Sequence, residues 1–456
     1  MKIFRLLMKI LAIVLLVFTL VTSRILPLQY IVGIGVIEIL LLLLVWKHKV
    51  IQIFIVILMV ITSFGIIYVE SIANRVINYN PNEVNTISFF VLKESSVRNL
   101  KDMIKKSSNI AVSTLIDEEV VSFAKSQLTV GGYTKSLKVY TGIKDGLTNL
   151  YEGKTDVLMI DQGYLTTVQD YDAQFLAKTK VVLVFKKSDA VINLKSKSNI
   201  AKQPFVVYIS GVDNRAEFQN NRSDTNMLAV VNPITNIITL VSVPRDAYVP
   251  IVLKNATPLD KLTHAGVYGI DCSIKTMALL LDVDVNYYIR AHFETVTKLV
   301  DALGTIDVYL EEGFTINEKV YTPGLNKLNG EYALLAARWR RTFATGDQQR
   351  IKNQQEVLKG IVNKLLEPSS LTKIESIISA IQGTVDTNLS GNDIFALVRK
   401  QIQNRRGWTF KQVYVTGKDA YAPSYAMGGQ ILNVIALDKI ELATAKKAIK
   451  DALKVE

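Results

Sequence analysis

Residues 205–249 read FVVYISGVDNRAEFQNNRSDTNMLAVVNPITNIITLVSVPRDAYV, and this stretch decides the fold class. Phe205–Val212 is a near-continuous apolar run, as a strand covered on both faces requires. Thr225–Val231 and Ile237–Val243 are two further strands. Asn232-Pro233-Ile234-Thr235-Asn236 between them has the residues of a hairpin turn. Downstream, Cys272–Leu281 and Glu294–Ala302 read as helices and Thr305–Leu310 as a strand. Asn329–Ala337 starts another helix, and a longer one covers Asp347–Leu366. Residues 371–456 add two helices, strands near Phe410–Val415 and Ile431–Ile435, and a terminal helix. Mixed strands and helices predict an α/β domain over 204–456, arranged as an α-β-α sandwich.

Upstream, short apolar runs alternate with amphipathic stretches from Asn85 to Phe185. Strands are expected at Ile87–Leu92, Ile110–Ser113, Leu137–Tyr140, Val157–Asp161 and Val181–Phe185. Helices are expected at Val97–Lys106, Glu118–Gln127 and Ile143–Glu152. This predicts a small α/β accessory domain over 85–186, and no catalytic constellation is visible in it. A linker rich in Lys, Ser and Asn, residues 187–203, joins the two domains.

The N-terminus differs in kind. Leu6–Thr22, Ile25–Trp46 and Val50–Val69 are apolar runs, each near the roughly 20 residues a membrane-crossing helix needs. Their charges are read as lying at the ends of the runs, which suits an anchor rather than a transport path. Residues 1–70 are therefore expected to form three transmembrane helices, and the polar residues 71–84 a stalk. Lys2, Arg5 and Lys9 precede the first run and Lys47, His48 and Lys49 separate the second from the third, while only Arg24 lies between the first two. By the bias of basic residues toward cytoplasmic loops, the N-terminus is inside and everything after Val69 is outside. The expected location is the cell membrane, multi-pass, with the main domains extracellular.

Composition agrees. Of 456 residues, 49% are hydrophobic and 21% charged, and the mean hydropathy is +0.24. Disorder is excluded by the apolar content. The single Cys272 excludes an internal disulfide framework or a multi-cysteine zinc site, and three histidines leave little room for a histidine-rich one. The net charge of +12 fits anionic lipid, a phosphorylated substrate or nucleic acid. The predicted cytoplasmic portion is only a few residues per loop, too little for a DNA reader.

Chemistry enters where polar residues break the pattern. In the helix 347–366, Val357, Leu358, Ile361, Val362, Leu365 and Ile351 form one apolar stripe. Asp347, Arg350 and Gln354 fall inside it, although buried Arg and Asp are rare unless paired. Arg338, Arg340 and Arg341 stand just before this helix. Asp213 ends the first strand, Arg222 and Asp224 begin the second, and Arg245 and Asp246 end the third. The hairpin brings these strand ends to one edge. Arginine forks bind phosphate oxygens bidentately, and carboxylate oxygens with phosphate make a Mg²⁺ shell. Together these residues describe a diphosphate–Mg²⁺ site.

The ordered motifs SGVDNR, RSDTNMLAVVNP, SVPRDAYV, KLTHAGVYG, LNGEYALLAARWRR and GDQQRIKNQQEVL, spanning Pro204–Leu366, resemble the LytR–CpsA–Psr family. The three spans and the domain before the motifs resemble its capsule-type branch. The resemblance implies a Mg²⁺-dependent phosphotransferase that moves a glycopolymer, such as capsular polysaccharide, from a polyprenyl-diphosphate carrier to peptidoglycan. It implies that Asp213 and Asp224 hold the metal. It further implies that Arg222, Arg245, Arg338, Arg340 and Arg350 bind the diphosphate with Asp347 and Gln354 in support. Asp213, Asp224, Arg245 and Arg338 would carry catalysis. The expected partners are the polyprenyl (di)phosphate lipid, the peptidoglycan acceptor and the membrane, with no nucleic acid. The isoprenoid tail is expected in an apolar groove lined by the helices Cys272–Leu281 and Asp347–Leu366. The general base is left open between Asp224 and Asp246. Two other readings remain: a polyprenyl-phosphate-binding module without catalysis, and a regulator of capsule synthesis.

Overall fold

A computed structural model describes residues 2–23, 28–44, 48–77, 84–188, 194–212, 221–316, 319–340, 343, 346–404 and 406–455. Asp213 and Arg341 lie outside these residues.

Three helices open the chain: Lys2–Thr22, Leu28–Leu44 and Lys49–Ile77. They share an apolar core of Ala12, Leu16, Leu20, Leu42, Ile55 and Met59. Among the described residues one segment, Lys49–Tyr68, is long and apolar enough to cross a membrane, and Leu6–Thr22 and Gln29–Leu44 are shorter apolar helices. The third helix continues to Ile77, so the start of the expected stalk is helical. Glu38 corrects the reading that the runs carry charge only at their ends. It sits within the second helix, is 6% exposed, and accepts a hydrogen bond from Thr62 Oγ1 on the third at 2.9 Å. A carboxyl among apolar helices is tolerated when it faces the bundle interior and finds such a donor.

Residues 84–188 build a five-stranded mixed sheet. Its strand order is Lys138–Tyr140, Ile110–Ser113, Val157–Asp161, Val84–Leu92 and Thr179–Ser188. The helices Glu118–Val130 and Ile143–Tyr151 cover it with Val120, Ala124, Leu128, Ile143, Leu147 and Leu150. The segment 194–200 is not a free linker. Ile200 is buried beneath the next sheet, and the Lys195 carbonyl accepts from Asn286 Nδ2 at 3.0 Å.

The second sheet has six strands in the order Val385–Thr387, Tyr287–His292, Phe205–Val212, Ser223–Asn232, Ile237–Val243 and Thr409–Tyr414. The hairpin turn is made as its residues require. Asn232 Oδ1 accepts from the amides of Ile234 and Thr235 at 3.0 and 3.2 Å, and Asn236 takes a left-handed φ of 54°. Strand Tyr287–His292, parallel to Phe205–Val212, is an element the sequence reading did not identify. Alternate side chains face opposite sides of the sheet. Val206, Tyr208, Leu228, Val230, Val241 and Val243 pack on helix Ile270–Leu281 and the terminal helix Lys439–Ala452. Phe205, Val207, Met227, Ala229 and Leu240 face Leu358 and Val362 of helix Asp347–Leu365. Helices therefore cover both faces, and the fold is mixed α/β. The expected tail groove is corrected by the same fact: the 270–281 and 347–365 helices lie on opposite faces of the sheet and cannot line one groove together.

The pairing directions gather six strand termini at one edge. Strands 205–212, 287–292, 237–243 and 409–414 end there, and 223–232 and 385–387 begin there.

Candidate active site

A cavity of about 220 Å³ opens at that edge. It is lined by Asp224, Arg245, Phe293, Arg338, Trp339, Arg340, Arg350 and Gln354, with Ala337. The side chains arrive from several elements, each for a local reason. Asp224 sits at the second position of its strand, and Arg245 two residues beyond the end of the antiparallel neighbour. This places the Arg245 Nη1 2.6 Å from Asp224 Oδ1. Arg350 is one turn into the 347–365 helix, only 6% exposed, and is held by Asp347 at 2.6 Å. Gln354 donates through Nε2 to the Ala337 carbonyl at 3.2 Å. Asn353 donates to the Ala336 carbonyl at 3.3 Å. These two amides tie the end of helix Gly330–Arg338 to the long helix and so fix where Arg338 emerges.

Two aromatic residues complete the lining, and the sequence reading had not placed either in the site. Phe293 begins the helix after strand 287–292, and the Arg338 guanidinium lies over its ring at 4.8 Å. Such stacking fixes the plane of the guanidinium while leaving its edge to hydrogen-bond an anion. Trp339 packs toward Phe314 at 6.3 Å between ring centroids.

The electrostatics is that of an anion site with internal counter-charges. Burial pulls Arg245 down, but the carboxylates of Asp224 and Asp246 outweigh it and leave the guanidinium above its ordinary range. Burial dominates at Arg350, which falls below its ordinary range despite Asp347, and Arg245 and Arg340 push it the same way. At Arg350 the neighbouring arginines add to the cost of burial, and an anion between them would relieve that repulsion.

The cavity thus unites six of the expected residues, Asp224, Arg245, Arg338, Arg340, Arg350 and Gln354, with Asp347 behind Arg350. Arg222 departs from expectation. It lines a different cavity and pairs with Asp170 of the preceding domain at 2.5 Å. It has turned toward that carboxylate because the partner stands across the domain junction, which strand periodicity does not reveal. Asp213 lies outside the described residues. Among the described residues no group of three or more His, Cys, Asp or Glu side chains is placed to hold a metal. Asp224 is nevertheless a hard-oxygen donor in a cavity lined by arginines, which suits Mg²⁺.

Residues 166–440 match the model of the LytR_cpsA_psr family, 275 of the 456 positions. The chain belongs to the LytR_cpsA_psr family. The match begins within the domain that precedes the first site strand. Among curated members, the polyisoprenyl-teichoic acid–peptidoglycan teichoic acid transferase TagU of Bacillus cereus (strain AH820) is 36% identical over 194 residues. That alignment covers 42% of this chain and 63% of the relative, so the chain spans less than two thirds of that protein's length. TagU of Bacillus subtilis (strain 168) is 34% identical over 211 residues, 46% of this chain and 66% of that one. A crystal structure of B. subtilis TagU is 30% identical and covers 56% of this chain and 99% of its own, with a TM-score of 0.45. A structure of TagT bound to LIIa-WTA is 27% identical, covering 57% and 94%, with a TM-score of 0.45.

Proposed function

We propose that this family member is a membrane-anchored phosphotransferase. It moves a glycopolymer from a polyprenyl-diphosphate carrier to peptidoglycan on the outer face of the cell membrane. The observation that carries the reading is the convergence of Arg245, Arg338, Arg340 and Arg350 with Asp224 in one cavity. The curated relatives' names, which specify transfer of a polyisoprenyl-linked polymer to peptidoglycan, support the same reaction class. Capsular polysaccharide is the polymer we favour. The three apolar N-terminal helices support a multi-pass anchor, with the basic residues around positions 2–9 and 47–49 inside.

In this reading the diphosphate lies among the arginines, with the lipid directed toward the face of the sheet that carries the 347–365 helix. An acceptor hydroxyl oxygen attacks the sugar-side phosphorus. The bond from that phosphorus to the bridging oxygen breaks, and polyprenyl monophosphate leaves with the bonding pair. Arg245, Arg338 and Arg350 hold the equatorial and leaving oxygens and oppose the charge that develops there. Arg338, kept flat by Phe293, presents its fork in a fixed plane. Asp224 with Asp213 would hold Mg²⁺, which when bound neutralises diphosphate charge.

The test is transfer from a lipid-diphosphate-linked oligosaccharide to peptidoglycan, measured beside polyprenyl monophosphate binding at fixed Mg²⁺. Lipid binding without transfer under every donor and acceptor would overturn the enzyme reading in favour of a binding module. Loss of neither activity in Asp224, Arg245 and Arg338 variants would overturn both.

A further inference from the structure

The motif KLTHAGVYG, residues 261–269, contributes nothing to the arginine cavity. It borders a second cavity of about 240 Å³, which Asp170, Arg222, Asp246, Lys261, Thr263 and His264 line along with Arg245. Arg245 is the shared wall. Its Nη1 meets Asp224 of the first cavity at 2.6 Å, and its Nε lies 3.5 Å from Asp246 of the second. A group held in the second cavity is thus one side chain away from the proposed phosphate.

The lining holds three cations and two carboxylates, and its charges are already paired, Arg245 with Asp224 of the first cavity. Arg222 pairs with Asp170 at 2.5 Å, and Lys261 with Asp246 at 2.8 Å. Charges that already cancel in pairs suit a neutral ligand that exchanges hydrogen bonds with them better than a second anion. Thr263 is 5% exposed, and its Oγ1 has no partner among the described residues. A buried hydroxyl left unmade is costly, and a ligand hydroxyl would satisfy it.

His264 supplies chemistry. Its Nδ1 lies 2.8 Å from Asp260 Oδ1. The same carboxylate accepts from Ser424 Oγ at 2.8 Å, from the Ala426 amide at 2.7 Å and from the Lys261 amide at 2.7 Å. Burial pushes the Asp260 carboxyl up, but His264 and these donors outweigh it and hold it below its ordinary range. An ionised carboxylate can only accept, so Nδ1 is the nitrogen that donates to Asp260, and in the neutral ring Nε2 is the basic one. Asp246, the other basic candidate in this cavity, is bound by Lys261. Burial pushes it up, the Lys261 hydrogen bond and charge bring it below its ordinary range, and it is a weak base.

We propose that the second cavity is the acceptor subsite, taking an uncharged hydroxyl-rich glycan, and that His264 is a catalytic residue whose Nε2 removes the attacking hydroxyl's proton. This rests on the transferase reading above. As the acceptor oxygen forms its bond to phosphorus, its proton passes to Nε2. The imidazolium formed is stabilised by Asp260, and it returns the proton to solvent after polyprenyl monophosphate departs. Asp170 gives the preceding domain a direct share in this subsite.

The full chain is assayed with a lipid-diphosphate-linked disaccharide as donor and uncrosslinked peptidoglycan strands as acceptor. Donor-site affinity is measured separately with polyprenyl monophosphate. Gln430 lines the second cavity and not the first, and is exposed. Gln430→Trp fills the second space and is expected to raise the acceptor KM about tenfold or more, with polyprenyl monophosphate affinity kept. His264→Gln is expected to lower kcat about 100-fold, the usual lower bound for general base catalysis, with acceptor KM and lipid affinity close to wild type. A wild-type acceptor KM in Gln430→Trp overturns the subsite, whether or not His264→Gln folds. A wild-type kcat in folded His264→Gln overturns the base. Failure of the unaltered chain to transfer at all, with lipid still bound, overturns the transferase reading instead.

Discussion

Arg245→Ala is the most informative single change, because that side chain serves both cavities. Arg245 donates to Asp224 at 2.6 Å and stands 3.5 Å from Asp246, with 24% of its side chain exposed. In the proposed complex one face of its fork holds a phosphate oxygen. A hydrogen bond to a charged group contributes about 1.5–3 kcal/mol, so its loss weakens head-group binding by about 10- to 150-fold. A second effect adds to the first. Asp224 loses its cation and its negative charge faces the phosphate directly, which pushes the value toward the upper end. Arg245→Lys should recover only part of the loss, since a point charge does not reproduce the fork. The measurement is a titration with fluorescent polyprenyl monophosphate, with melting temperature checked in parallel so that unfolding is not read as lost affinity. A folded Arg245→Ala protein that binds lipid within twofold of wild type would refute the placement of the phosphate.

Four further outcomes are expected. Asp224→Asn removes a carboxylate and frees Arg245, so transfer should collapse while polyprenyl monophosphate binding is kept or rises in the same titration. Asp386→Ala removes the carboxylate that buried Arg290 meets at 2.7 Å. Chemical denaturation should show a loss of about 3–5 kcal/mol, and a loss under 1 kcal/mol would refute the reading of a desolvated pair. Asp260 is held below its ordinary pKa, so its contribution is present above the unfolded value of 3.8 and lost as pH falls through the lower folded value. Melting temperature should fall with acidification in that range, and less steeply in Asp260→Asn. A cysteine at Ser95 should react with a membrane-impermeant reagent on intact cells and one at His48 should not. The reverse pattern would refute the outward orientation.

Much of the fold is legible because its strands obey simple rules. Phe205–Val212 and Ile237–Val243 have the bounds their apolar runs suggest, since strands covered by helices on both faces are apolar throughout. Strand Tyr287–His292 is harder to read because Arg290 and His292 interrupt it. Asp386, nearly a hundred residues later, meets Arg290 in the adjacent strand and helps to make it tolerable there. Glu38 shows the opposite failure. The residue stands in the sequence, but the apolar average of its run hides it, and its meaning depends on Thr62 in another helix.

The site was legible for the same reason that Arg222 was not. Arg350 and Gln354 are polar residues on an apolar stripe, and a helix of fixed period gives such residues only one direction to face. The ends of a hairpin likewise constrain Asp224 and Arg245 to one edge, so their contact at 2.6 Å follows from register. Arg222 precedes its strand, where no period governs direction, and its orientation is set by Asp170 across a domain junction. That junction is built from tertiary contacts. Val267 is buried in the core of the 84–188 domain, Tyr268 meets Tyr164 edge-on at 5.9 Å, and Tyr171 donates to the Met427 carbonyl at 2.8 Å. Gly266 lets the same 262–268 turn pass close to the chain that enters strand 223–232, since a Cβ there would stand 2.2 Å from the Asn221 carbonyl oxygen. The turn that anchors the preceding domain is therefore the same turn that presents Thr263 and His264 to the second cavity. A change that loosens the domain junction should disturb that cavity before it disturbs the arginines, whose positions are fixed within the six-stranded sheet and the helices packed on it.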